Sequence, residues 1–171
     1  MTTMMRRLGL AVLPALVLVM GACDDDDAVM EPELPATVVD VALAVNASTG
    51  EFSTLIAALV AADLVETLQG PGPFTVFAPT DAAFAELNLN ASNIGSVPVE
   101  TLTGILLYHV APARRDAANV TSATSITMVS GGSADISVTA AGAFIDGAQI
   151  VQTDVAAQNG IVHVIDAVLM P

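Results

Sequence analysis

The stretch Asn159-Gly160-Ile161-Val162-His163-Val164-Ile165-Asp166-Ala167-Val168-Leu169 is the clearest structural signal in this 171-residue chain. Asn-Gly is a typical turn pair, and the continuous apolar run over residues 161–168 predicts a buried strand. Upstream, Asp146-Gly147 separates the short apolar segments Phe144-Ile145 and Ile150-Val151, which is the pattern of a two-residue β-hairpin. The C-terminal part of the chain is therefore predicted to consist of strands joined by tight turns.

Two further strands are predicted over residues 126–129 and 136–138, on either side of the tight turn Gly131-Gly132. A second decisive stretch lies earlier, at residues 72–84, where a strand over residues 74–77 leads into Pro79-Thr80-Asp81. Thr80 or Asp81 is suited to cap a short helix over residues 82–87. The chain thus places one strand early and a meander of strands late.

Helical signals surround the early strand. Residues 37–45 predict a short helix, and Phe52, Leu55, Ile56 and Leu59 recur with the spacing of an amphipathic helix. Pro98 suits the first turn of another helix, in which Val99, Leu102, Ile105 and Leu106 share a face. Helices followed by a strand meander, without an intervening linker, predict a single α+β domain over residues 36–171.

The N-terminal 22 residues have the pattern of a secretory signal peptide. Arg6 and Arg7 precede an apolar stretch over residues 8–20, which ends in the small residues Gly21 and Ala22. The apolar stretch is shorter than the roughly 20 residues that a transmembrane helix requires. We therefore expect residues 1–22 to direct export and to be removed.

Met20-Gly21-Ala22-Cys23 resembles the lipobox of bacterial lipoproteins, with methionine where leucine is more common. The resemblance implies acyl chains on Cys23 and cleavage before it; the alternative is an ordinary signal peptide that leaves a free thiol. Residues 24–35 are acidic and contain two prolines, which favours an extended tether over a calcium site in the run Asp24–Asp27. Residues 23–35 are thus interpreted as a lipidated cysteine followed by a spacer.

The charge of the chain excludes several classes of partner. All 18 acidic residues follow Cys23, whereas only Arg114 and Arg115 do so among the basic residues, which gives the predicted mature chain a net charge of −16. So acidic a surface repels nucleic acid and anionic headgroups, and the Arg114-Arg115 pair is too small to reverse this. A single cysteine also excludes an internal disulfide.

Few residues are suited to catalysis or metal binding. His109 follows a predicted helix and His163 lies within an apolar strand, where a lone histidine is more often a hydrogen-bonded core residue. Thr80 or Asp81 could hydrogen-bond to His109 and form a structural polar cluster. No nucleophile elbow, phosphate-binding glycine loop or paired-histidine zinc motif is present. The sequence therefore predicts a protein with no catalytic residue, no metal and no cofactor.

Three segments resemble the signature blocks of fasciclin-type domains: residues 72–84, Leu106-Leu107-Tyr108-His109-Val110 and residues 159–169. They occur in the order and spacing of that family, over residues 37–171. The resemblance implies a wedge of two β-sheets flanked by several short helices. It also implies a non-catalytic role in adhesion, with an extracellular or envelope protein or polysaccharide as partner. Asp63 stands where many relatives have glycine at a helix end.

Two functions follow from the resemblance as hypotheses. The first is a membrane-tethered adhesion or interaction module of the bacterial envelope, anchored outside the cytoplasmic membrane, in the outer membrane or at the cell surface. Its candidate interaction segment is Tyr108, His109 and Val110, because family members use this neighbourhood in adhesion; the alternative role of this segment is core packing. The second hypothesis is a carrier of a small hydrophobic ligand such as a carotenoid.

Overall fold

A computed structural model of the chain describes residues 37–171, in which most helices precede a final run of strands. The helices are α1 (Val38–Thr49), α2 (Ser53–Ala61), α3 (Val65–Gln69), α4 (Asp81–Glu86), α5 (Val99–Tyr108) and α6 (Ala117–Ser122), with a 3₁₀ turn at Ile94–Ser96. The strands are β1 (Phe74–Pro79), β2 (Val110–Pro112), β3 (Ser125–Thr127), β4 (Ser133–Thr139), β5 (Gly142–Ile145), β6 (Ala148–Ala157) and β7 (Gly160–Ile165).

The seven strands are hydrogen-bonded in the order β2-β1-β7-β6-β5-β4-β3. Only β1 and β7 pair in parallel, and the other neighbours are antiparallel. The two ends of this order approach each other, because Val129 N, just after β3, donates to Val110 O in β2 at 2.7 Å. The predicted α+β class is confirmed. The strands form one continuous order that nearly closes on itself, where the resemblance implied two sheets.

The parallel β1–β7 pair depends on two glycines that have no room for a side chain. A Cβ atom on Gly160 would overlap the carbonyl oxygen of Phe74, and one on Gly72 would overlap that of Asn159. Phe74 N donates to Asn159 O at 2.9 Å across the same junction. The glycines of the two long signature blocks are thus explained by backbone contact between the blocks.

The Asn159 side chain attaches helices to this junction. Its Oδ1 accepts from Val38 N at 2.8 Å, at the start of α1. Its Nδ2 donates to Leu68 O in α3 at 2.8 Å and to Gly70 O at 3.0 Å. One amide group therefore satisfies backbone groups of two helix ends that would otherwise lack partners.

Two apolar clusters fill the domain. The first packs α1, α2 and α5 against β1 and β7; its largest members include Phe52, Leu102 and Ile94. The second lies under β3–β6 and includes Phe77, Ile126 and Ile145. Both clusters receive side chains from β1 and β7, since successive residues of a strand point to opposite faces.

Several predicted boundaries differ in the structure. Helix α1 continues to Thr49, because Thr37 caps its start with a capping box and Gly50 ends it at φ 74°. Strand β7 ends at Ile165 rather than at residue 168. Helix α6 lies in a region that we expected to be only strands; its N-cap is Asp116, which accepts from Asn119 N.

The turn and capping predictions are confirmed in detail. Asp146 and Gly147 have φ of 51° and 86°, as a two-residue hairpin turn with two left-handed residues requires. Thr80 caps α4 by accepting from Ala83 N. Asp63 has φ 56°, the left-handed conformation expected at a position that often holds glycine. Of the residues predicted to share a face of α5, Leu102 and Leu106 are buried, whereas Val99 is 55% exposed.

Within residues 37–171, no helix combines the length and the apolar character that are needed to span a bilayer.

We expect Gly160→Ala to lower the free energy of unfolding by at least about 3 kcal/mol, because the added methyl group would force β1 and β7 apart. Urea denaturation followed by circular dichroism measures the change. Gly104→Ala is the matched control: Gly104 lies within α5 with nothing near its Cβ position, so this substitution should stabilise the helix by up to about 1 kcal/mol. Equal stabilities of the two variants would contradict the proposed role of Gly160.

Candidate functional site

The predicted interaction segment lies at the end of α5 and the start of β2, where it is enclosed by the domain. Tyr108, His109 and Val110 are 5%, 2% and 3% exposed. Tyr108 packs into the cluster under β3–β6, whereas Val110 packs into the cluster between the helices and β1. These side chains are therefore unable to form a contact surface in this structure, and the alternative role of core packing describes their position.

His109 joins three separate parts of the fold through its ring and its backbone. Nδ1 donates to Ile105 O at 2.8 Å, and Nε2 accepts from Leu169 N at 2.9 Å. The backbone O of His109 accepts from Phe77 N at 2.8 Å. These bonds require a neutral ring protonated on Nδ1. Complete burial lowers the pKa of His109 to about 4, so the ring is neutral at physiological pH.

The predicted hydrogen bond between His109 and Thr80 or Asp81 is wrong. Both ring nitrogens of His109 already have partners, and the two candidate residues are used elsewhere. Thr80 Oγ1 accepts from Ala83 N, and Asp81 Oδ1 accepts from Thr54 N at 2.8 Å. Thr80 and Asp81 therefore cap helix α4 and link it to α2, and they are not part of a cluster with His109.

Tyr108 anchors the β5–β6 hairpin to the end of α5. Its hydroxyl donates to Asp146 Oδ2 at 2.9 Å and lies 3.1 Å from Ser133 O. The ring lies so close to Gly132 that a Cβ atom there would overlap it. Burial, followed by the hydrogen bond and the negative charges of Asp146 and Asp135, raises the pKa of Tyr108. The hydroxyl is accordingly a structural donor.

A second buried polar cluster, which the sequence did not indicate, holds the loop between β2 and α6. Thr75 is fully buried; its Oγ1 donates to Ala113 O at 2.7 Å and accepts from Arg115 N at 2.9 Å. His163, also fully buried, bonds through Nε2 to Arg115 O at 2.9 Å and accepts from Asp154 N at Nδ1. Burial lowers the pKa of His163, so it too is a neutral core residue.

A metal site in the described residues would require a cluster of ligating side chains, and a ligand carrier would require an apolar cavity. Residues 37–171 hold no group of three or more histidine, cysteine or acidic side chains that could bind a metal ion. An apolar cavity of about 20 Å³ lies between α1, α2 and the β1–β7 pair, beside His109. Ligand pockets are typically about 300–1,000 Å³. This cavity is thus too small for a carotenoid, and the carrier hypothesis gains no support from it.

Comparison with known proteins assigns the fold and the segments described above to one family. The profile of the Fasciclin domain matches residues 50–171. The chain belongs to the fasciclin domain family. A solved structure of a FAS1 domain pair from the insect cell adhesion molecule Fasciclin I superposes with a TM-score of 0.63 at 18% identity. That match covers 80% of this chain and 51% of the other, and it shows a common fold.

Sequence relatives occur in bacteria and animals. Protein sll1483 of Synechocystis sp. is 42% identical, covering 79% of this chain and 73% of that protein. Immunogenic protein MPB70 of Mycobacterium bovis is 34% identical, covering 95% of this chain and 91% of that protein. The transforming growth factor-beta-induced protein ig-h3 of Sus scrofa is 32% identical, but the match covers only 20% of its length.

The fasciclin domain is a non-enzymatic domain of the adhesion type, and its homologues are typically extracellular or secreted. The chain is accordingly not an enzyme. The geometry agrees with this conclusion, because the histidines and the tyrosine of the signature blocks have structural hydrogen-bond partners. These signature residues therefore have structural roles in the fold.

We expect the free energy of unfolding to fall as the pH falls from about 6.5 to about 4. The unfolded imidazole titrates near 6.5 whereas the pKa of folded His109 is about 4, so in this window the unfolded state binds more protons. His109 alone should remove about 2 kcal/mol between pH 7 and pH 5, because each pH unit below 6.5 corresponds to about 1.4 kcal/mol.

Urea denaturation at pH 7 and pH 5 measures this dependence. His109→Gln should reduce the difference between the two pH values, whatever its effect on the stability at either one. His163→Gln is the matched variant for the other buried histidine. A pH difference that is unchanged in His109→Gln would contradict the assignment of a neutral, hydrogen-bonded ring.

Proposed function

We propose that this protein is a non-catalytic, membrane-tethered fasciclin-domain module outside the cytoplasm, which mediates adhesion by binding an extracellular or envelope component. The observation that carries the proposal is the combination of an adhesion-type domain with a lipobox-like segment ending in Cys23. Cys23 and the rest of residues 1–36 lie outside the residues that the structure describes. The anchor and the tether therefore rest on the sequence.

The stability of a lipid anchor depends on the number of acyl chains. One chain binds a membrane only weakly, whereas several chains on one cysteine anchor it stably, at about 0.8 kcal/mol for each buried methylene group. Residues 24–35 are acidic and include two prolines, a composition that favours an extended spacer. Such a spacer would reach at most roughly 40 Å, which is enough to hold the domain clear of the lipid headgroups.

The buried polar side chains of the described domain are also consistent with a protein that binds a partner and catalyses no reaction. Four polar residues of the described chain are fully or almost fully buried: Thr54, Thr75, His109 and His163. The side chains of Thr75, His109 and His163 are committed to hydrogen bonds that hold loops and the C-terminal segment. Partner binding would then use exposed residues. The net charge disfavours nucleic acid as this partner.

We expect Cys23→Ser to release the protein from the membrane and to abolish its contribution to attachment. A deletion strain of the host bacterium should lose surface attachment or aggregation, and wild-type protein should restore it. Cys23→Ser should be recovered in the soluble exported fraction and should not restore attachment. The mass of the mature N-terminal peptide reports acylation directly.

The matched control for these experiments is Asn88→Asp, which changes one exposed residue of the domain and leaves Cys23 intact. It should behave as the wild-type protein in both assays. An unmodified mature N-terminus would refute the anchor. Unchanged attachment in the deletion strain under several conditions would refute the adhesion function.

A further inference from the structure

The loop between β2 and α6 holds the two cations of the described chain. Arg114 and Arg115 are the basic residues among residues 37–171, against twelve carboxylates, which gives this part of the chain a net charge of −10. Arg114 is exposed and Arg115 is half-buried. The only positively charged spot on the described domain is thus one short loop.

The backbone of this loop is held by hydrogen bonds to buried polar side chains. Ala113 N donates to Pro73 O at 3.0 Å, and Thr75 Oγ1 joins Ala113 O to Arg115 N. His163 Nε2 bonds to Arg115 O from beneath the loop. Both bridging side chains are fully buried. The backbone that carries the two arginines is therefore held in place without a ligand.

The same loop contains a strained residue. Ala113 has φ 93°, a strained left-handed conformation that a residue with a Cβ atom rarely adopts. Asp154 on the neighbouring strand β6 has φ 60°, and its Oδ1 accepts from Ala117 N at 2.8 Å, just beyond the loop. Strain of this kind persists where surrounding contacts impose it, and it is concentrated at ligand-binding sites.

The guanidinium groups are not neutralised by nearby acids. Asp116 and Asp154 lie close by, but Asp116 caps α6 by accepting from Asn119, and Asp154 accepts from Ala117 N. Neither arginine forms an ion pair with a carboxylate of residues 37–171. Among residues 37–171, Arg114 Nη1 donates to Ala157 O at 3.3 Å, and the buried Arg115 Nε has no hydrogen-bond partner. The other N–H groups of the exposed Arg114 thus have no partner in the part of the chain that the structure describes.

We propose that Arg114 and Arg115 form an anion-binding site for the carboxylate or sulfate groups of an acidic polysaccharide, an assignment that rests on the adhesion function proposed above. A guanidinium group offers paired N–H donors that match the two oxygens of such a group. A rigid loop lowers the entropic cost of forming these hydrogen bonds.

The charge of the domain selects this class of partner over others. Twelve carboxylates repel a densely charged polyanion such as nucleic acid. A sugar polymer can present sparse anionic groups separated by neutral hydroxyl-bearing rings. One exposed charge pair contributes little to the affinity. A repeating polymer held by many tethered copies of the protein compensates for that weakness through multivalency.

Binding of the full-length chain to immobilised dextrans tests the site, because these polymers differ only in the attached group. We expect binding to sparsely carboxymethylated dextran or to sparsely sulfated dextran, and none to neutral dextran. The double variant Arg114→Gln/Arg115→Gln should bind at least about tenfold more weakly. Binding by wild-type protein should also weaken as NaCl is raised.

Two further variants separate the site from general effects of charge. Asn88→Asp also lowers the net charge, but Asn88 follows α4, at the end of β1 that is opposite to the arginine loop. Binding by this variant should therefore equal that of the wild type. Arg114→Lys/Arg115→Lys keeps the charge without the paired donors and should bind with intermediate strength. Thermal unfolding of each variant confirms that it is folded.

Equal binding of the glutamine double variant and the wild type would overturn the proposal, as would equal binding to neutral dextran or binding only to phosphatidylglycerol vesicles. These outcomes are independent of the attachment assay. A folded double variant that retains charged-dextran binding refutes the arginine site and leaves the adhesion function standing. A deletion strain that attaches normally refutes the adhesion function alone.

Discussion

Contact between the backbones of β1 and β7 at Gly72 and Gly160 is the constraint on which the rest of the domain depends. The two strands are the only parallel pair in the sheet, and they come from segments more than eighty residues apart in the chain. Both glycines face a carbonyl oxygen of the other strand's segment. Asn159 then binds α1 and α3 to the same point. Both apolar clusters are assembled around this pair.

The sequence predicted the parts of the fold that depend on local chemistry. The Asp146-Gly147 hairpin and the Thr80 cap follow from the conformational preferences of single residues. Helix α6 was not predicted, because its six residues have no apolar periodicity. Its N-cap, Asp116, directly follows the two arginines. The single continuous order of strands was not predicted either, since it depends on which distant strands become neighbours.

The candidate site was likewise predicted only in part. Histidines within apolar segments were correctly expected to be core residues with hydrogen bonds, but their partners were not predictable. His109 binds Leu169, sixty residues away, rather than the nearby cap at Thr80 and Asp81. Tyr108 likewise reaches Asp146 of a distant hairpin. The recognisable residues of the family that lie in this segment are therefore structural.

Native-state hydrogen exchange of residues 37–171 tests the central role of the β1–β7 pair most directly. The amides of Val76, Val162 and Val164 should exchange only through global unfolding, with free energies equal to that from urea denaturation. Amides of the β4–β5 hairpin should exchange through local opening at lower free energy. If the β1 and β7 amides exchange faster than those of β4 and β5, the pair is not the constraint on which the fold depends.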